Sequence, residues 1–119
     1  MTSVDYVRNL VRLVPSLLPA MDEHLKDNDE MLPHVFFGDL TRVVVNMQKM
    51  SDENQRYDDH DLDAILQYLE EGIKSTSPEI RELISASFIE NLVPGHPHIT
   101  NLKTKMGREL KSQYMRQWG

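Results

Sequence analysis

Cysteine is absent from the 119-residue chain, which excludes a disulfide framework, a thiolate metal site and a cysteine nucleophile, and sits most easily with a reducing cytoplasm. Long apolar runs are missing too. No stretch approaches the ~20 residues that a membrane-spanning helix requires. Arg8, Arg12 and Pro15 interrupt the N-terminal segment, where an export signal would need a basic start followed by continuous apolar residues. A cytoplasmic protein without membrane association is the expectation. Glycine and proline are scarce, at 5 and 6 residues, and 39% of the chain is hydrophobic, the balance of a folded domain rather than of a tail or fibre. A chain of this length buries roughly two-thirds of its unfolded surface, so one domain over residues 1–119 is predicted.

Motifs of chemistry are equally sparse. There is no GxSxG elbow around Ser75, Ser77, Ser85 or Ser87, and no GxxxxGK(S/T) or GxGxxG phosphate cradle. Of the five histidines, His24, His34, His60, His96 and His98, none falls in HExxH or at an i, i+4 spacing, so no metal or other cofactor is expected. "DDHD" at Asp58 to Asp61 lacks the glycine and alternation of a calcium loop. Glu70 and Glu71 are neighbours, splayed about a hundred degrees apart on a helix, and form no acid/base couple. The chain reads as a non-enzyme.

What is present is helical periodicity. Val4, Val7, Leu10, Val11 and Val14 form a stripe that begins after Thr2 or Ser3 and ends at Pro15. A short helix over about 16–26 follows, with Leu17, Leu18, Met21 and Leu25 expected to face inward. Pro33 suits the first position of a long central helix carrying Phe36, Leu40, Val43, Val44 and Met47. Residues 51–61 read as a loop. Leu62, Ile65, Leu66, Leu69 and Ile73 make the cleanest stripe, with Gly72 and "KSTS" as its stop. Ser77 caps the next helix and Pro78 takes its first position; Ile80, Leu83, Ile84, Ser87, Phe88 and Leu92 face inward before Pro94 and Gly95 end it. One last helix runs from about Pro97 to Trp118, with Gly107 as a close-packing position inside it. The predicted fold is therefore all-α: a single-domain bundle of about five to six helices, with hairpin stacking of the HEAT kind as a variant.

Charge is divided along the chain. Residues 1–71 hold 15 Asp/Glu against 6 Lys/Arg, a balance of −9, while residues 72–119 hold 4 against 7, a balance of +3. The acidic residues gather in two sets that could converge at one end of a bundle: Asp27, Asp29 and Glu30, with Asp22 and Glu23 before them, and then Asp52, Glu53, Asp58, Asp59, Asp61 and Asp63. Such a surface repels phosphate backbones and steers basic proteins toward it. Direct nucleic-acid binding is disfavoured. Phe37, a hundred degrees round from Phe36, and Tyr57, in the acidic loop, are the aromatic residues best placed to serve as exposed anchors.

The stretch "ILQYLEEGI" followed by "SPEIRELISASFIENL" resembles, over roughly residues 60–118, small acidic helical proteins of bacteria. In general character it is similar to the immunity proteins of contact-dependent growth inhibition and other polymorphic toxin systems. The second segment also resembles half of a HEAT-type repeat. The immunity resemblance implies a cytoplasmic protein that binds one cognate toxin, often a basic nuclease domain, and blocks its active or substrate-binding face. Asp52, Glu53, Tyr57, Asp58, Asp59, Asp61, Asp63, Asp27, Asp29 and Glu30 are the expected contact residues. A HEAT-like adaptor or regulatory domain is the alternative.

Overall fold

Thr2 opens the first helix: its hydroxyl accepts the Asp5 N–H at 3.1 Å while the Asp5 carboxylate accepts the Thr2 N–H, a reciprocal capping box. The computed structural model describes residues 1–53 and 59–119, the side chain of Asp59 excepted. The helices are α1 (Ser3–Leu13), α2 (Leu18–Asn28), α3 (Pro33–Asp52), α4 (Asp59–Ile73), α5 (Pro78–Ser87), α6 (Pro97–Lys105) and α7 (Arg108–Trp118). Single 3-10 turns precede α2 (Pro15–Leu17) and follow α5 (Ile89–Asn91). The all-helical expectation holds, and no strand occurs among the described residues.

Among the described residues seven α-helices replace the five or six expected, chiefly because the last predicted helix is two. Met106 leaves helical geometry at ψ 146° and Gly107 starts α7 in extended conformation at ψ 172°. The cause lies on α4. The Glu70 carboxylate, 8% exposed, accepts the Glu109 N–H at 3.0 Å and the Leu110 N–H at 2.8 Å. It thus supplies both the acceptor and the negative charge that a helix N-terminus favours. A Cβ on Gly107 would lie 2.6 Å from that carboxylate, so close packing at this glycine is real but serves a helix start rather than a helix interior.

Three further expectations change. Of the predicted stop only "KSTS" lies beyond α4, which runs to Ile73: Gly72 stays inside the last turn, where a Cβ would collide with the Tyr6 hydroxyl. Over the 3-10 turn and α2 the inward set is Leu17, Met21 and His24, whereas Leu18 and Leu25 are 49% and 39% exposed. Both sets have helical spacing, and the buried histidine decides between them. Phe37 is no surface anchor, being wholly buried with its ring 6.2 Å from that of Tyr6.

Helix α3 is the spine, packing against α1, α2, α4, α5 and α6, and α5 fills the centre against α1, α3 and α4. One continuous core results, in which Phe36, Phe37, Leu40, Leu62, Leu69, Leu83 and Phe88 are fully buried. The radius of gyration, 13.6 Å, is that of one compact unit of this length, about 13.5 Å. No helix among the described residues is long and apolar enough to cross a membrane.

Candidate functional site

Histidine 24 fixes the connection that carries the first acidic set. Its ring is buried, edge-on to Phe36, and Nε2 accepts the Leu32 N–H at 2.9 Å. Its Nδ1 faces the Asn28 amide at 3.3 Å and lies 3.8 Å from Asp39 Oδ2. Asn28 donates to the His24 carbonyl at 2.8 Å. Asp29 adopts the left-handed conformation, φ 62°, which Asp tolerates better than most residues. The chain thus turns from α2 into α3 on a hydrogen-bonded support, with Asp27, Asp29 and Glu30 exposed on it.

The two acidic sets do not gather at one end of α3. Asp29 and Glu30 immediately precede the start of α3, and Asp52 and Glu53 stand at its far end; a 20-residue helix is about 30 Å long. Asp27 faces the first half of α3, beside Asp39 and Arg42.

The two sets also differ in how they are used internally. Asp52 bonds to His98 Nδ1 at 2.6 Å and accepts from Gln48 at 2.8 Å. The His98 bond, with smaller help from Asn101 and Gln48, holds the Asp52 carboxyl below its ordinary pKa, although burial, the second-largest influence, opposes it. Asp61 accepts from the Ser16 hydroxyl at 2.7 Å. These two carboxylates clasp α3 to α6 and the 3-10 turn before α2 to α4. Glu53 also has an internal partner, whereas Asp63 is exposed. Tyr57 and Asp58 lie outside the described residues, as does the side chain of Asp59. By contrast, no hydrogen bond or ion pair engages the side chains of Asp22, Glu23, Asp27, Asp29 or Glu30 among the described residues. The structure therefore leaves the α2 carboxylates available and spends part of the second set on the fold.

Catalytic arrangements are thin. His34 Nδ1 meets the Ser87 hydroxyl, the pairing used in nucleophilic catalysis. Yet Ser87 is buried, and no carboxylate orients the His34 ring among the described residues; the pair ties the first turn of α3 to the end of α5. His96 and His98 stack with ring centroids 4.3 Å apart, and His96 caps α6 by accepting the His98 N–H. Among the described residues no group of three or more His, Asp or Glu is placed to hold a metal ion.

Sequence periodicity missed a groove of ≈ 580 Å³ along the outer face of α3. Gly38, Thr41, Val45 and Lys49 line one side, with Val93 and Ile99 opposite. Arg42 lines both this groove and a smaller depression walled by Glu23, Asp27 and Asp39, so the two form one surface. The available signals were a glycine inside a helix and an apolar residue just before Pro94.

Comparison with curated proteins and with solved structures gives no match. Residues 7–119, nearly the whole chain, match the family described as a domain of unknown function, DUF7674, and the chain belongs to that family.

Proposed function

We propose that the chain is an immunity-type protein of the cytoplasm, which neutralises a cognate basic toxin domain by docking it on the acidic surface of α2. The observation that carries this reading is the set of five carboxylates on and just after one short helix, Asp22, Glu23, Asp27, Asp29 and Glu30, with no internal partner among the described residues. Exposed like charges kept unpaired in a chain of net charge −6 raise the encounter rate with a basic partner by 10-fold or more and repel phosphate backbones. A nuclease toxin must present a basic face to its substrate, and these carboxylates would occupy it in place of phosphates. No catalysis, cofactor or nucleic-acid contact belongs to this role. Asp52 and Asp61 support the fold in this reading.

The reading is tested by growth rescue. If the reading frame encoded beside this chain is toxic when expressed alone, co-expression should restore growth. The quadruple change Glu23→Gln, Asp27→Asn, Asp29→Asn and Glu30→Gln should abolish the rescue while the helical circular-dichroism signal stays. A harmless neighbour, or rescue indifferent to those charges, would remove the immunity reading. The HEAT-like adaptor would then lead, favoured by α4 and α5 packing on one another across the Ser77-capped turn.

A further inference from the structure

We infer that the groove along α3 and the acidic ridge of α2 act as one docking surface, whose occupant is a basic amphipathic helix presented by the partner protein. This rests on the basic-partner reading above and adds the shape the partner offers. From Gly38 to Lys49 the groove follows a single stripe of α3 at spacings of three and four residues, about 16 Å long, which matches three turns of a helix laid alongside. Its walls are apolar where they should contact such a helix. Val45 lines one side, and Val93 stands 59% exposed on the other, an apolar side chain on an open loop with nothing of its own domain over it. Gly38 leaves the floor open: a Cβ there would find only Asn91, at 3.9 Å.

Charge then selects the sign of the occupant. Arg42, the cation at the seam between groove and ridge, is paired with Asp39. Beyond it stand Glu23 and Asp27, unpaired among the described residues, leaving Lys49 as the cation at the far end. The groove's own charged residues are Arg42 and Lys49, and the carboxylates line the adjoining depression on its α2 side. A helix with leucine-like residues at i, i+3, i+4 and i+7 and lysine or arginine along one flank would bury the first against Val45 and Val93 and set the second on Glu23 and Asp27.

The probe is a roughly 18-residue Leu/Lys peptide with that pattern, compared by fluorescence anisotropy with a scrambled peptide of the same composition and with its Leu/Glu counterpart. The patterned basic peptide should bind at least 10-fold tighter than the scrambled one. Val93→Ser, at an exposed site, and Gly38→Leu, at an open one, should each weaken it 5-fold or more without changing the salt dependence. Glu23→Gln with Asp27→Asn should weaken it and flatten the salt dependence. If patterned and scrambled basic peptides bind alike and the Val93 and Gly38 variants change nothing, the groove inference is overturned while the acidic surface stands. Preference for the Leu/Glu peptide, or no saturable binding of any peptide, overturns both.

Discussion

Glu70 shows how much a single side chain decides in this fold. Its carboxylate is buried on α4 and serves two N–H groups of α7, contacts of the charge-assisted kind. Glu70→Ala should cost about 2–3 kcal/mol, because two helix-start donors lose their acceptor. Urea denaturation measures this, and a loss under about 0.5 kcal/mol would show that water replaces the carboxylate. Tyr6 and Tyr68 form a second such unit: each hydroxyl donates to the other's backbone carbonyl, at 3.0 and 2.7 Å, across rings 4.5 Å apart. Burial pushes the Tyr68 hydroxyl up to about 12, and burial together with Tyr68 pushes Tyr6 higher still. A folded pKa raised above the unfolded value near 10 means stability that is complete below pH 10 and lost as pH climbs through 12. Wild-type unfolding midpoints should therefore fall more steeply between pH 10 and 12 than those of Tyr68→Phe; parallel curves would contradict the assignment. Neither unit was legible from periodicity, since Tyr6 is off the valine stripe and Glu70 looks like half of an ordinary charged pair. Each acts through a tertiary contact, across 62 residues for Tyr6 with Tyr68 and 39 for Glu70 with Glu109.

At the level of elements, the stripes of α1, α3, α4 and α5 were readable because aliphatic residues at one spacing leave a single burial solution. Helix α2 was not, since Leu18 and Leu25 compete with Met21 and His24 for the same period, and only the Leu32 N–H that His24 receives settles the rotation. The split between α6 and α7 was hidden for a similar reason: Gly107 is needed by a side chain from another helix. Helix α2 also carries a tension that bears on function. Asp27, Asp29 and Glu30 crowd its C-terminal end, with Lys26 the basic residue of the last turn, where the helix dipole disfavours carboxylates by about 0.3–1 kcal/mol each. Asp27→Asn with Glu30→Gln should therefore leave the thermal midpoint unchanged or raise it by a few degrees. The same pair should weaken capture of a basic partner. A clear fall in the midpoint would assign these carboxylates to the fold instead.

Across the whole molecule, the sequence carried the sign of the charge but not its placement. Contiguity along the chain suggested one acidic end, whereas the 20-residue helix α3 separates Asp29 and Glu30 from Asp52 and Glu53, and Asp52 and Asp61 bond to His98 and Ser16. The groove was invisible because its walls come from α3 and from residues some fifty positions later. What emerges is a compact helical body with an acidic ridge on α2, unpaired among the described residues, bordering a partly apolar groove. The most direct measurement of its central claim is affinity capture of the tagged protein from its own cells at low and at moderate salt. It would be run beside the Glu23, Asp27, Asp29 and Glu30 variant, with mass spectrometry of what is retained. The account predicts one basic protein that the wild type holds at low salt, loses in part at moderate salt, and that the variant fails to retain. Retention of the same protein by both, or of acidic or uncharged proteins alone, would contradict it.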